Sequence, residues 1–225
     1  MEGFIRTIGI TILISLAQIS FAQKVLNDAT ITYSISVQSS DGKTDLAKSL
    51  EGATLTIYLK GTHTRSDMVS SLGTESGLYD TRTGKGYILK EYSGQKLMIT
   101  MDKNNWSQKN QFYQNATFVI DNAEQQINGF RTKKATSTLP DGKSFVVNFT
   151  PDFVTANKQY NNSFAKLPGL PVQYEITSGN LMFTYKLVKI DQEIVSATKF
   201  EVPKSGYRVM TYDENQQLKK GENKR

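Results

Sequence analysis

Ala29-Thr30-Ile31-Thr32-Tyr33-Ser34-Ile35-Ser36-Val37 decides the class of fold. Ile31, Tyr33, Ile35 and Val37 alternate with Thr30, Thr32, Ser34 and Ser36. An extended chain therefore puts the apolar side chains on one face and the hydroxyls on the other, whereas a helix would scatter both sets around its circumference. The same period of two returns in Ala53–Lys60 through Leu55, Ile57 and Leu59, in Lys143–Thr150 through Phe145, Val147 and Phe149, and in Leu181–Val188 through Leu181, Phe183, Tyr185 and Leu187. Tyr87–Glu91, Lys96–Asp102, Phe130–Leu139, Val172–Ile176 and Glu193–Val202 are further strand candidates.

Turn chemistry separates these runs. Asp41-Gly42, Thr83-Gly84-Lys85-Gly86, Ser93-Gly94, Asp141-Gly142 and Ser178-Gly179-Asn180 fall between them. Connections this short join antiparallel neighbours, and there is no βαβ rhythm. About ten strands in one sheet curl or close. The expected fold is α+β and mainly antiparallel β: a strongly curved sheet or half-open barrel with one or two short helices on its concave face. Two segments interrupt the strands. Lys103–Gln114 holds the only tryptophan, Trp106, and its spacing suits a short helix. Pro151–Leu170 reads as non-strand with a short helical turn before Leu167-Pro168-Gly169-Leu170-Pro171, whose prolines forbid regular helix.

The ends read differently. Arg6, the apolar run Ile8–Ala17 and the small residues of Ser20-Phe21-Ala22 have the order of a cleavable secretory signal covering residues 1–22, with Gln23 as the mature start. The apolar run is too short to span a bilayer, and no later segment reaches that length. The expected organisation is this signal, one β domain over 23–213, and a basic disordered tail over 214–225 carrying Lys219, Lys220, Lys224 and Arg225. No cysteine occurs, so neither an N-terminal lipid anchor nor a disulfide scaffold is available. The expected location is the periplasm or the outside of the cell, in soluble form. The net charge of +6 comes with no nucleic-acid-binding motif, and no nucleic-acid partner is expected.

Catalytic constellations are sparse. His63 is the single histidine, so zinc or copper would lack ligands and a Ser-His-Asp triad has no nucleophile elbow around any serine. Asp152, Glu175, Glu193 and Glu201 stand on or beside strand candidates without forming an evident catalytic pair. The reading is no enzyme, no catalytic residue, no metal and no cofactor. What remains is an apolar surplus: Met98 beside Leu97, Ile99 and Met101, and Met182 beside Phe183. Either a cavity on the concave face takes an apolar ligand, with adaptable methionines lining it, or helices of the chain cover that face. The first reading puts Met98, Met101, Trp106, Tyr113, Met182 and Tyr185 around an apolar or lipidic ligand. The second gives an envelope structural or protein-interaction domain with a filled core and a protein partner.

Three stretches carry a family resemblance. Lys60-Gly61 with Arg65-Ser66-Asp67-Met68, then Tyr79-Asp80-Thr81-Arg82-Thr83-Gly84-Lys85, form a KG-x-x-x-R-x-D-M … YD-x-x-T-GK order. Ile127–Ala135 and Leu167–Glu175 follow. This order resembles uncharacterised exported proteins of Bacteroidota related to the GLPGLI family and, more distantly, the LolA-like lipoprotein-carrier fold, over roughly residues 29–212. The chain departs from the pattern at Leu-Pro-Gly-Leu-Pro and at Thr132, where relatives often have cysteine. The resemblance implies a half-open antiparallel barrel whose concave apolar face is plugged by one or two helices, and an exported protein that shields an apolar ligand.

Overall fold

The computed structural model describes residues 23–40, 44–114 and 116–222. The expected signal, residues 1–22, and the last three residues of the basic tail lie outside them. Strands β1 (Lys24–Leu26), β2 (Asp28–Ser39), β3 (Thr54–Lys60), β4 (His63–Ser70), β5 (Gly73–Asp80), β6 (Lys85–Tyr92) and β7 (Gln95–Met101) are followed by β8 (Val119–Ile127), β9 (Phe130–Thr138), β10 (Ser144–Thr150), β11 (Phe153–Thr155), β12 (Leu170–Ser178), β13 (Leu181–Asp191) and β14 (Arg208–Thr211). Helices α1 (Thr44–Leu50), α2 (Lys103–Gln114) and α3 (Tyr212–Glu222) complete the regular structure with three short 3-10 turns.

Twelve strands form one sheet in the order β14-β7-β6-β5-β4-β3-β2-β13-β12-β10-β9-β8. Its two ends do not pair, so the sheet is curved and open, as expected for a half-open barrel. All pairings are antiparallel except β14 with β7. The central strand β2 shows why. Ile31, Tyr33 and Ile35 are buried and stand opposite Ile57, Leu55 and Tyr185 of its neighbours, so alternation fixes which face turns inward.

The inner face divides into two halves. Over β2, β13, β12 and β10 it is filled by the chain itself: Tyr160, Phe164 and Leu167 from residues 156–170 join Tyr33, Val147, Val172, Tyr174 and Leu187 in the largest core cluster. Phe164 meets Tyr174 edge-on at 4.7 Å between ring centres. Asn157 and Asn161 cap the two 3-10 turns at Lys158–Tyr160 and Asn162–Phe164 with their side-chain carbonyls. The parallel pair β1–β11 anchors this plug from outside the main sheet. The helix α2 packs on β6 and β7 and also touches the turn at 162–164, so it lies across the inner face between the two halves.

Four expectations are corrected. Glu193–Val202 is not a strand. It belongs to a strap, residues 192–207, that crosses the outer face of β3–β7 with a single 3-10 turn at Ala197–Phe200 before β14 adds beside β7. The tail from residue 214 is helical to Glu222, in α3, because Tyr212 packs on Met101 and Met210, and Glu214 accepts hydrogen bonds from the Thr211 N–H and hydroxyl. Pro151–Leu170, expected to be non-strand, contains β11, which pairs with β1 beside the main sheet; β4, β5, β8 and β14 are strands without the alternation that marks the others.

Candidate functional site

The resemblance motif turns out to be a fastening device. On the outer face, the Lys60 ammonium bonds Asp28 at 2.8 Å and the Val195 carbonyl at 2.8 Å, while the Asp28 carboxylate accepts from the Val195 N–H at 2.6 Å. Arg65 donates to Asp67 at 2.7 Å, to the Lys199 carbonyl at 3.0 Å and to Ser76 at 3.3 Å. Tyr207 bonds Glu91, and Lys199 lies 5.0 Å over the Tyr58 ring. These polar contacts hold the strap on the sheet, and Val202 and Tyr207 then cover Leu78, Leu89 and Met98. Burial raises the Asp28 pKa, but the hydrogen bonds from Lys60 and Val195 outweigh it and hold the carboxyl below its ordinary value.

The second half of the motif is a capped turn. Asp80 accepts from the Arg82 N–H at 3.0 Å and from the Thr83 hydroxyl at 2.9 Å, and Gly84 (φ 71°) closes the β5–β6 connection. His63 stands 3.9 Å from Asp80 and 5.8 Å, ring to ring, from Phe200. Between them lies a small cleft of about 180 Å³ on the outer face, under the strap. Gly86 has a packing reason: a Cβ there would meet Met101, Trp106 and Tyr79 all at 3.3 Å. The bare backbone lets the Trp106 indole lie flat on Tyr79, centroids 4.2 Å apart and 2° from parallel.

The open half of the inner face is the candidate site. Cross-strand register sets two rows side by side: Ile57–Ser66–Gly77–Ile88, and Leu55–Met68–Glu75–Lys90–Leu97. At the centre the floor is nearly bare. A Cβ built at Gly77 would find one heavy atom within 4 Å, the Ser66 hydroxyl at 3.0 Å. In the next row Leu55 and Met68 are only half-buried, although they touch the cluster of Ile35, Val37, Ala47, Ala53 and Leu181, which Phe183 and Tyr185 of β13 join from the far side of β2. α2 forms the opposite wall with Trp106 and Lys109. The basin is therefore apolar on one side and charged on the other. Lys90 pairs with Glu75 at 3.0 Å, and Tyr92, its hydroxyl 3.5 Å from the same carboxylate, is pushed up to about 12 by burial and by the Glu75 charge.

The residues expected around a ligand do not share one face. Met101 and Trp106 meet at the β7 end, and the indole N–H of Trp106 is buried with no acceptor among the described residues. Tyr185 on β13 stacks on Tyr174 at 4.7 Å and packs against the core clusters, four strands from Gly77. Met98 and Met182 are corrections: each stands next in sequence to an inward residue, Leu97 and Phe183, and so points outward. Met98 is covered by the strap, which accounts for the apolar surplus on β7. The side chain of Tyr113 lies outside the described residues. Leu55, Ser66, Met68, Glu75, Gly77, Lys90 and Phe183 were missed. For Ser66, Glu75, Gly77 and Lys90 the signal was available as small or polar residues at inward positions of a segment enclosed by regular strands. Of the four carboxylates considered for catalysis, Asp152 pairs with Arg131, Glu175 faces Thr184 on the outer side, and Glu193 and Glu201 are exposed.

No protein-family model matches the chain, and no curated protein matches it. Solved structures similar to it include PNGF-II (TM-score 0.45, 8% identity, 85% of this chain and 33% of that one). They also include MucB in the MucA/MucB complex of Pseudomonas aeruginosa (TM-score 0.38, 10% identity, 79% of this chain and 56% of that one). A third is a LolA superfamily protein from Nitrosomonas europaea (TM-score 0.35, 6% identity, 79% of this chain and 91% of that one). The chain spans about half or less of the first two. At these TM-scores the likenesses bear on neither site nor activity, and the architecture rests on the strand order above. No helix among the described residues is long and apolar enough to cross a membrane.

Proposed function

We propose that this chain is an exported, non-enzymatic binding protein of the cell envelope, and that it holds the apolar part of a small lipidic molecule in the open half of its inner face. One observation carries the reading: the sheet floor at Ser66 and Gly77 is left bare, while the apolar side chains of the next row, Leu55 and Met68, are only half-buried. A soluble domain gains about 25 cal/mol for each Å² of apolar surface taken from water, so half-covered side chains on a concave face favour an occupant. The neighbouring half, filled by Tyr160, Phe164 and Leu167, shows how the chain covers the same face where no space is needed. Native mass spectrometry after gentle purification, followed by displacement of a fluorescent fatty-acid probe, tests the reading. Co-purified lipid or saturable probe uptake is expected. No lipid and no uptake contradicts it.

One observation favours a second reading, a protein-interaction domain. β8 ends the sheet with a free edge, and its Val119 and Ile120 are 78% and 37% exposed. On that reading, cross-linking in cells captures one defined partner through β8 and no lipid is recovered.

A further inference from the structure

The basin has a chemistry at its mouth that apolar burial does not use. Lys90 on β6, Lys109 on α2, Arg208 on β14 and Lys219 on α3 all stand toward the end of the inner face where β7 meets β14. Lys90 is neutralised by Glu75. Arg208 and Lys219 have no carboxylate within ion-pair distance among the described residues, and Lys109 feels the charge of Glu75. Arg208 is the cross-strand partner of Leu97, which is in turn the partner of Lys90, so the cationic end continues the row of Met68 and Glu75, which runs beside the row of Ser66 and Gly77. A cleft of about 600 Å³ opens here, with Leu97, Met210 and Leu218 as its apolar side and Arg208 and Lys219 at its charged side.

Lys109 on α2 is exposed, with its ammonium 5.7 Å from the Trp106 ring centre. Desolvation lowers the Lys109 pKa. Glu75 opposes that, while the charges of Lys219 and Lys90 add to it. Like charges gathered beside a low-dielectric wall destabilise one another unless an anion enters. The Arg208 guanidinium and the Lys219 ammonium supply directed donors suited to an oxyanion. The apolar side chains beside them suit the first carbons of a chain attached to that anion.

Resting on the function proposed above, we propose that this cleft is the head-group subsite, and that the ligand is an amphipathic anion whose carboxylate or phosphate is held by Arg208 and Lys219 while its chain runs over Gly77. Titration calorimetry of the full chain with dodecanoate, dodecyl phosphate, dodecanol and inorganic phosphate tests this. The two anionic amphiphiles bind about tenfold or more tightly than dodecanol, as expected for charge-assisted hydrogen bonds. Replacing both exposed cations, Arg208→Gln with Lys219→Gln, brings dodecanoate down to the level of dodecanol and leaves dodecanol unchanged. Equal binding of dodecanoate and dodecanol, or equal weakening of both in the variant, overturns the head-group subsite and leaves the apolar basin standing. Binding of inorganic phosphate as tight as dodecyl phosphate overturns an amphiphile in favour of a free anion. Binding of neither chain overturns the basin reading as well.

Discussion

Filling the bare floor with one side chain separates an open basin from a packed core. Gly77 is the position. Its φ lies outside the left-handed region and its missing Cβ would meet only the movable Ser66 hydroxyl at 3.0 Å, so Gly77→Leu introduces no backbone strain and one soft contact. Glycine within a strand costs roughly 0.5–1 kcal/mol relative to alanine, and a leucine lying in open space recovers part of that. The net change in unfolding free energy is therefore expected within about 1 kcal/mol, a melting shift of about 2–4 °C for a domain of this size. A packed site would lose about 1–3 kcal/mol to overpacking. The same leucine occupies the volume of roughly three ligand methylenes. At about 0.8 kcal/mol each, their loss weakens probe binding by about 2.4 kcal/mol, roughly fiftyfold. Urea unfolding and displacement of a fluorescent fatty acid, run beside Gly77→Ala, measure both quantities. A leucine variant destabilised by more than about 2 kcal/mol, or one that binds the probe as well as the parent, would falsify the open floor.

Other outcomes follow from the filled half and the strap. Phe164→Ala removes a 3%-exposed ring from the plug and is expected to cost about 3–5 kcal/mol in urea unfolding; a loss under 1 kcal/mol would mean that the plug is dispensable to the core. Tyr33→Phe and Tyr160→Phe form a contrasting pair. The Tyr33 hydroxyl donates to the Pro171 carbonyl at 2.9 Å, whereas the buried Tyr160 hydroxyl has no partner among the described residues. The first substitution is expected to cost about 1 kcal/mol and the second nothing, and the reverse order would show the hydroxyl assignments wrong. The Asp28 carboxyl, held below its ordinary pKa, contributes stability that is present above that ordinary value and lost as pH falls through the lowered one. Below about pH 4, amide exchange around Val195 is expected to accelerate in the parent, while Asp28→Asn shows fast exchange already at neutral pH. Exchange at Val195 independent of both pH and the substitution would remove Asp28 as the fastener.

Where the inner face is packed, the sequence announces it. β2, β3, β10 and β13 were legible because each inward position must meet another apolar residue, and Lys103–Gln114 appears as α2 over the same residues. β4 and β5 were not legible for the reason that makes them interesting: their inward positions are Ser66, Met68, Glu75 and Gly77, which face the basin rather than a core. β14 was missed because four residues are too few for a period to show. The strap was misread because Val195 and Val202 are apolar for docking onto the outer face, in an extended chain that pairs with no strand. Of the expected ligand residues, Trp106 lies on Tyr79 and Tyr185 lies on Tyr174, while Met98 and Met182 were assigned by composition without fixing which face each one takes.

Trp106 is the only tryptophan, and α2 sets it on the wall of the basin. Its fluorescence therefore reports on the space over Gly77 without any label. Titration of the full chain with a fatty acid brominated along its chain, a contact quencher of indole, is the most direct measurement. The account predicts saturable quenching at one equivalent, reversed by unbrominated dodecanoate and abolished in Gly77→Leu. Quenching that rises linearly with the brominated acid and is indifferent to the competitor and to the substitution would contradict it.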